Sequence, residues 1–399
     1  MGPELLSDRI AQLPESATIA MAQRARELRQ EGKDIVNLSL GEPDFDTPEH
    51  IKLAAKMAID EGYSKYTPVP GYLDLREAIC AKFKRDNGLD YAPNQIVVST
   101  GAKQSIANAV LCLVNPGDEV ILPVPYWVSY SAIARLAEAT IVEIPTSIEN
   151  DFKLSPEQLE AQITDKSRVI IFSSPCNPTG SVYSKQELQA LAEVIERYER
   201  LIVISDEIYE YINFGGQHHS IASFGNMIDR VITVNGLSKG FAMTGWRLGY
   251  IGAPAWIAKA CTKMQGQFTS GTSSITQRAA IEALTGDLAP TYAMRDEFLK
   301  RCNYMLAELG KIEGMKLNVP TGAFYLFPDI SSFFGKSVGD RVIKNPSDLC
   351  MYLLEEHGVA VVTGEAFGDP NCIRISYAAS DEELAKAVRR ISEGLAALN

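Results

Sequence analysis

At roughly 150 residues per domain, a chain of 399 residues has room for two to three domains. Hydrophobic residues make up 46% and charged residues 22%, which supplies a sizeable core and excludes a disordered chain. The 38 Lys and Arg against 50 Asp and Glu leave a net charge of −12. That argues against nucleic acid or an anionic membrane as partner, since both reward excess positive charge.

No apolar run approaches the ~20 residues a bilayer span requires. Residues Met1 to Asp8 show no basic stretch ahead of an apolar one, so no secretory signal is expected. The seven cysteines are scattered without a CxxC pair, and the four histidines form no spaced set. The expectation is a chain of the reducing cytoplasm without disulfides and without a bound metal.

In chain order, a helical pattern runs from Glu15 to Glu31 and a strand follows at Ile35–Leu38. A boundary is expected near Thr47. Strand Gln95–Thr100 runs into Gly101 and a helix from about Lys103 to Leu113. Glu119–Pro123 reads as the next strand. Three clean apolar runs follow, Arg168–Pro175, Leu201–Glu207 and Arg230–Asn235, with an amphipathic helix at Lys185–Tyr198 between the first two. Continuous apolar runs fit strands covered on both faces, and the alternation of strand and helix predicts an α/β domain with a mainly parallel sheet. Beyond a second boundary near Pro290 come a long helix, Tyr292–Leu309, then strands, a helix at Pro346–His357 and a last helix from Asp381. Both termini together predict a smaller α+β domain (1–47 and 291–399) around a large central one (48–290).

In open α/β sheets, ligands sit beyond the carboxyl ends of the strands. Those positions carry Gly101-Ala102-Lys103, then Tyr126-Trp127, Asn177-Pro178-Thr179-Gly180, Asp206 with Tyr209, and Ser238-Lys239 ahead of Arg247. Singly, each has an ordinary reading. Asp206 suits a helix cap, Asn177-Pro178 suits a turn, and an isolated lysine is usually solvated. Lys103 lacks the glycine spacing of a P-loop. Together they form one chemical set. Pyridoxal 5′-phosphate (PLP) needs an amine to hold it, a carboxylate to keep its ring nitrogen protonated, donors to its phenolate oxygen, an arginine and backbone N–H groups for its phosphate, and a stacking ring.

On Ser174–Gly180 (SPCNPTG), Ser205–Tyr209 (SDEIY), Ser238-Lys239 and Met243–Arg247 (MTGWR), the sequence resembles the aspartate aminotransferase family of fold type I, class I, in nearly its whole length. Leu40–Phe45, Tyr66–Gly71, Pro125–Tyr130, Pro320–Phe324 and Ile373–Ser376 support the match. The resemblance implies a large PLP-binding domain with a mainly parallel seven-stranded sheet flanked by helices. It implies that Lys239 is the Schiff-base lysine and proton carrier, that Asp206 partners the pyridine nitrogen, and that Tyr209 and Asn177 donate to the phenolate oxygen. Trp127 stacks on the ring. Arg247, the turn at Gly101 and the N–H groups of Ala102 and Lys103 cradle the phosphate, with Ser238 beside them. Tyr66 is implied to reach the neighbouring subunit's phosphate in a homodimer with shared sites. Arg374 is implied to grip the substrate α-carboxylate, with Asn177, Trp127 and the Gly41 backbone assisting.

The expected reaction moves an amino group from an amino acid, aspartate first, to 2-oxoglutarate by a ping-pong route. An aromatic or broad-specificity aminotransferase, or a β-lyase on the same scaffold, remains open on sequence alone. The position three before Lys239 is Gly236, where some members carry a serine. The segment Leu13–Thr18 offers Ser16 and Thr18 but no lysine for a distal carboxylate.

Overall fold

A computed structural model describes residues 5–11, 13 and 15–399. Met1 to Glu4, at the head of the segment read for a secretory signal, lie outside them, as do residues 12 and 14. The seven strands of the main sheet are β1 Ile96–Ser99, β2 Glu119–Val124, β3 Thr140–Pro145, β4 Ser167–Ser173, β5 Ile202–Asp206, β6 Val231–Gly236 and β7 Gly249–Gly252. Their order is β1-β7-β6-β5-β4-β2-β3, and β7 alone runs antiparallel to its neighbours.

The apolar runs are continuous because successive side chains feed two separate cores. Ile170, Phe172, Val203 and Ile121 face one apolar cluster, while Val169, Ile171, Ile202, Ile204, Val120 and Leu122 face the other. Helices 49–60, 73–82, 185–195 and 274–285 cover the first face, and helices 102–113, 129–136 and 255–268 cover the second. Local chemistry starts the helices where they are needed. Ser184 caps Lys185–Ile195 by accepting from the N–H of Glu187, whose carboxylate reaches back to the Ser184 N–H.

Two strands escape the sequence reading. Strand β3 is an edge strand whose exposed Thr140, Glu143 and Pro145 break the apolar run. Strand β7 reads Gly-Tyr-Ile-Gly, poor in strand formers, and it belongs in the sheet because its glycines admit close neighbours. A side chain at Gly249 would strike the backbone of Gly101 and Ala102. The antiparallel sense of β7 puts its start at the same edge as the carboxyl ends of the other strands. Arg247, two residues before β7, therefore joins that edge.

Residues from both ends of the chain share a third apolar cluster. Val36 and Leu38 pack with Phe298, Cys302, Leu353, Val359, Ile375 and Ile391. Strand 36–37 pairs in parallel with 359–360, and strands 362–363, 373–376 and 325–326 form a small antiparallel sheet. Ile208, Tyr209 and Ile212, just beyond β5, belong to this cluster too, so the end of the central strand is clamped between two cores. No helix among the described residues is long and apolar enough to cross a membrane.

Candidate active site

A cavity of about 300 Å³ opens at the carboxyl edge of the sheet. Gly41, Ala102, Lys103, Trp127, Asn177, Asp206, Tyr209, Ser238, Lys239, Arg247 and Arg374 all line it. Gly101 is not among the lining residues but directly precedes Ala102 as the N-cap of its helix. Tyr66 does not join them: its ring is 98% exposed on the surface of the single chain.

Asp206 closes β5 and is 4% exposed. Its Oδ2 accepts from the Tyr130 hydroxyl at 2.7 Å and its Oδ1 from the Ile208 N–H at 3.3 Å. Burial pushes its carboxyl up to about 6, while these bonds and Lys239 oppose that shift. Lys239 follows β6. Its Nζ donates to the Gly41 carbonyl at 2.5 Å and lies 5.8 Å from the centre of the Tyr209 ring. Burial, then the charge of Arg374, holds the Lys239 amine down at about 8. An amine and an acid whose environments push them toward neutrality thus share one crevice.

Arg374, 2% exposed, sits in strand 373–376. Nη1 donates to Asn177 Oδ1 at 3.0 Å and Nη2 to the Ser39 carbonyl at 2.6 Å. The rings of Tyr325 and Phe367 flank the guanidinium at 4.6 and 5.0 Å. At the opposite wall, the helix Ala102–Leu113 points its N-terminus into the cavity, where the first N–H groups of a helix have no acceptor within it. Arg247 hangs over that end. Its backbone is left-handed, φ 56°, an unusual state for a side-chain-bearing residue that recurs at binding sites. Gly101 has φ 86°, and a methyl added there would collide with the Arg247 guanidinium. Only glycine leaves room for both the turn and the arginine. Lys103 Nζ stands 5.0 Å from the centre of the Trp127 ring, and burial lowers its basicity.

Two contributors, Tyr130 and Tyr325, have no role in the sequence reading. Tyr130 lies in the first turn of helix Ser129–Leu136 and meets the ring of Trp127, which stands just ahead of that helix, edge-on. Tyr325 bonds the Tyr209 hydroxyl at 2.8 Å and carries Arg374 on its ring, but only the small sheet brings it there. Thr18 and Ile19 of helix 17–30 close the mouth from the other end of the chain. Away from the cavity, Glu207, Glu210 and His218 come within 4.8 Å of one another. Glu207 is bonded by Ser205, Ser220 and His218, and Glu210 pairs with Lys82, which identifies an internal ion network.

Fold and cavity define an α/β enzyme architecture whose pocket pairs a buried acid with a poised amine and two arginines. The class I and II aminotransferase model matches residues 33–391, and the chain belongs to that family. It is 52% identical over 98% of its length, and 82% of the relative's, to a bifunctional aspartate aminotransferase and glutamate/aspartate-prephenate aminotransferase of Petunia hybrida. It is 46% identical to an aspartate/prephenate aminotransferase of Cereibacter sphaeroides, covering 99% of each chain. Among solved structures, an aspartate aminotransferase from Rhizobium meliloti superposes with a TM-score of 0.95 at 41% identity, covering 99% of each chain. The Thermus thermophilus aspartate aminotransferase with maleate gives 0.92 at 40% identity, covering 98% of this chain and 99% of that one.

Proposed function

We propose that this chain is a PLP-dependent aminotransferase with aspartate as donor and 2-oxoglutarate as acceptor. The observation that carries it is Lys239 and Asp206 at one cavity with Arg247 and Arg374 at opposite walls. The donor set suits PLP, and the wall has polar capacity to spare: Ser173 Oγ and Arg374 Nε are buried with no hydrogen-bond partner among the described residues. When bound, PLP supplies a carbonyl that takes over the amino group and a protonated ring that draws the electron pair from the substrate Cα.

On this reading Asp206 keeps the proton on the ring nitrogen, because an opposite charge beside a buried group favours its ionised form. Tyr209 and Asn177 donate to the phenolate oxygen. Arg247 and the N–H groups of Ala102 and Lys103, with Ser238, hold the phosphate. Trp127 stacks on the ring. Arg374 forks the α-carboxylate and sets the Cα–H bond toward Lys239, with Asn177 and the Gly41 backbone beside it. Lys239 Nζ takes that proton as general base, and an amine near pKa 8 suits the task at neutral pH.

Of the cations lining the cavity, Lys103 alone is left unassigned by its side chain. Its side chain is therefore the one we assign to a second carboxylate. Prephenate as a further acceptor is supported by the dual names of the relatives and by its two carboxylates. The functional unit is read as a cytoplasmic homodimer in which the exposed Tyr66 enters the neighbour's site. Residues 48–290 are read as the larger domain, with 1–47 and 291–399 as the smaller.

The test is a set of half-reactions followed by the visible absorbance of the cofactor, with aspartate, glutamate, alanine and phenylalanine as donors, then 2-oxoglutarate and prephenate as acceptors. Aspartate and glutamate should react fastest, and Lys239→Ala should lose both turnover and the band of the lysine-bound cofactor. Retained turnover in that variant rejects the assignment. Formation of alanine and carbon dioxide from aspartate, with no 2-oxoglutarate consumed, rejects transamination.

A further inference from the structure

One buried contact in the cavity wall is used by none of the roles above. Tyr130 is 1% exposed and donates to Asp206 Oδ2 at 2.7 Å. Its ring meets that of Trp127 edge-on, with centroids 5.5 Å apart at 87°. A single short helix, Ser129–Leu136, together with the residues just ahead of it, therefore touches both the buried acid and the stacking indole. The Ile208 N–H holds the other oxygen, Oδ1, from the segment after β5. A carboxylate offers about four lone-pair sites, so two restraints fix its rotation and still leave sites for a cation in the cavity.

The chemistry of the donor matters. Burial and the Asp206 charge both keep the Tyr130 phenol protonated, so its O–H is available to donate to the carboxylate. Bonds from a neutral hydroxyl to an anion are short and roughly twice as strong as neutral ones. The groups facing this pair are Ser173 and Cys176 at Tyr130, and Glu207 and Lys239 at Asp206. Glu207 and burial favour the neutral acid at Asp206, whereas Tyr130, the Ile208 N–H and Lys239 favour the anion.

We propose that Tyr130 is a positioning residue, whose hydroxyl fixes the rotation of the Asp206 carboxylate and keeps it an anion facing the ring nitrogen, while its ring sets the tilt of Trp127. This rests on the reading of Asp206 as the partner of that nitrogen. Tyr130→Phe keeps the ring and removes the hydroxyl alone. Cofactor affinity is measured by equilibrium dialysis without substrate, then kcat and KM for aspartate, in Tyr130→Phe, Asp206→Asn and the double variant. Expected for Tyr130→Phe are a roughly tenfold weaker cofactor Kd and a kcat lowered tenfold or more, with KM changed less than threefold because Arg374 is untouched. In the Asp206→Asn background the same change should cost nothing further, since the two act as one unit. If Tyr130→Phe matches the parent while Asp206→Asn is disabled, the proposal falls and the Asp206 reading stands. A full Tyr130→Phe effect persisting in the Asp206→Asn background also overturns it, because the phenol then acts by another route. If Asp206→Asn itself behaves as the parent, the reading of the site falls first and takes the proposal with it.

Discussion

Replacing Arg374 with alanine isolates the interaction on which substrate orientation depends. The guanidinium is 2% exposed, donates to Asn177 and to the Ser39 carbonyl, and is flanked by two aromatic rings. It is held before substrate arrives, so little side-chain entropy is lost when a carboxylate docks. Each hydrogen bond to a charged group contributes about 1.5–3 kcal/mol, and a fork makes two, or about 3–6 kcal/mol. At about 1.4 kcal/mol per decade, kcat/KM for aspartate should fall by ~10²- to 10⁴-fold. The assay is a single-turnover half-reaction followed by absorbance, with β-alanine as a companion donor. β-Alanine has the amine and the distal carboxylate of aspartate but no α-carboxylate. The parent should prefer aspartate strongly, and the variant should lose most of that preference. A fall in kcat/KM of less than about fivefold, or an aspartate to β-alanine ratio that does not move, refutes the role.

Other outcomes can be checked alongside. Gly101→Ala forces a side chain into a left-handed backbone at a cost of order 1–3 kcal/mol and displaces Arg247, so cofactor Kd should rise at least tenfold and the melting temperature should drop; unchanged values in both reject the account of that turn. In cofactor-free protein the buried Lys239 titrates at about 8, against 10.5 for an ordinary lysine. The unfolded chain binds more protons between those values, so stability rises with pH across that window, and below it the charged amine costs about 3 kcal/mol. Cofactor-free Lys239→Met should melt above the parent at pH 7, with the gap closing toward pH 10; a constant gap contradicts the burial argument. Lys103→Met should lower kcat/KM for aspartate about ten- to a hundredfold and leave alanine nearly unchanged, and an equal loss for both removes Lys103 from distal recognition.

Much of this molecule is legible in one dimension, because its strongest signals are local. Val169 to Phe172 must be a buried strand, since an apolar run of that length has nowhere else to go. The residues after each parallel strand necessarily gather at one sheet edge, which is why Asn177, Asp206 and Lys239 could be named together. The edge strand β3 and the glycine-bounded β7 were not legible: pairing with neighbours, rather than their own composition, makes them strands. The Tyr130 contact to Asp206 and the Tyr325 contacts to Tyr209 and Arg374 join residues 76, 116 and 49 positions apart. Sequence supplies such side chains and their hydrogen-bonding capacity. Only the packed cores fix the distances and the burial, and those in turn set how far the amine of Lys239 and the acid of Asp206 shift toward neutrality.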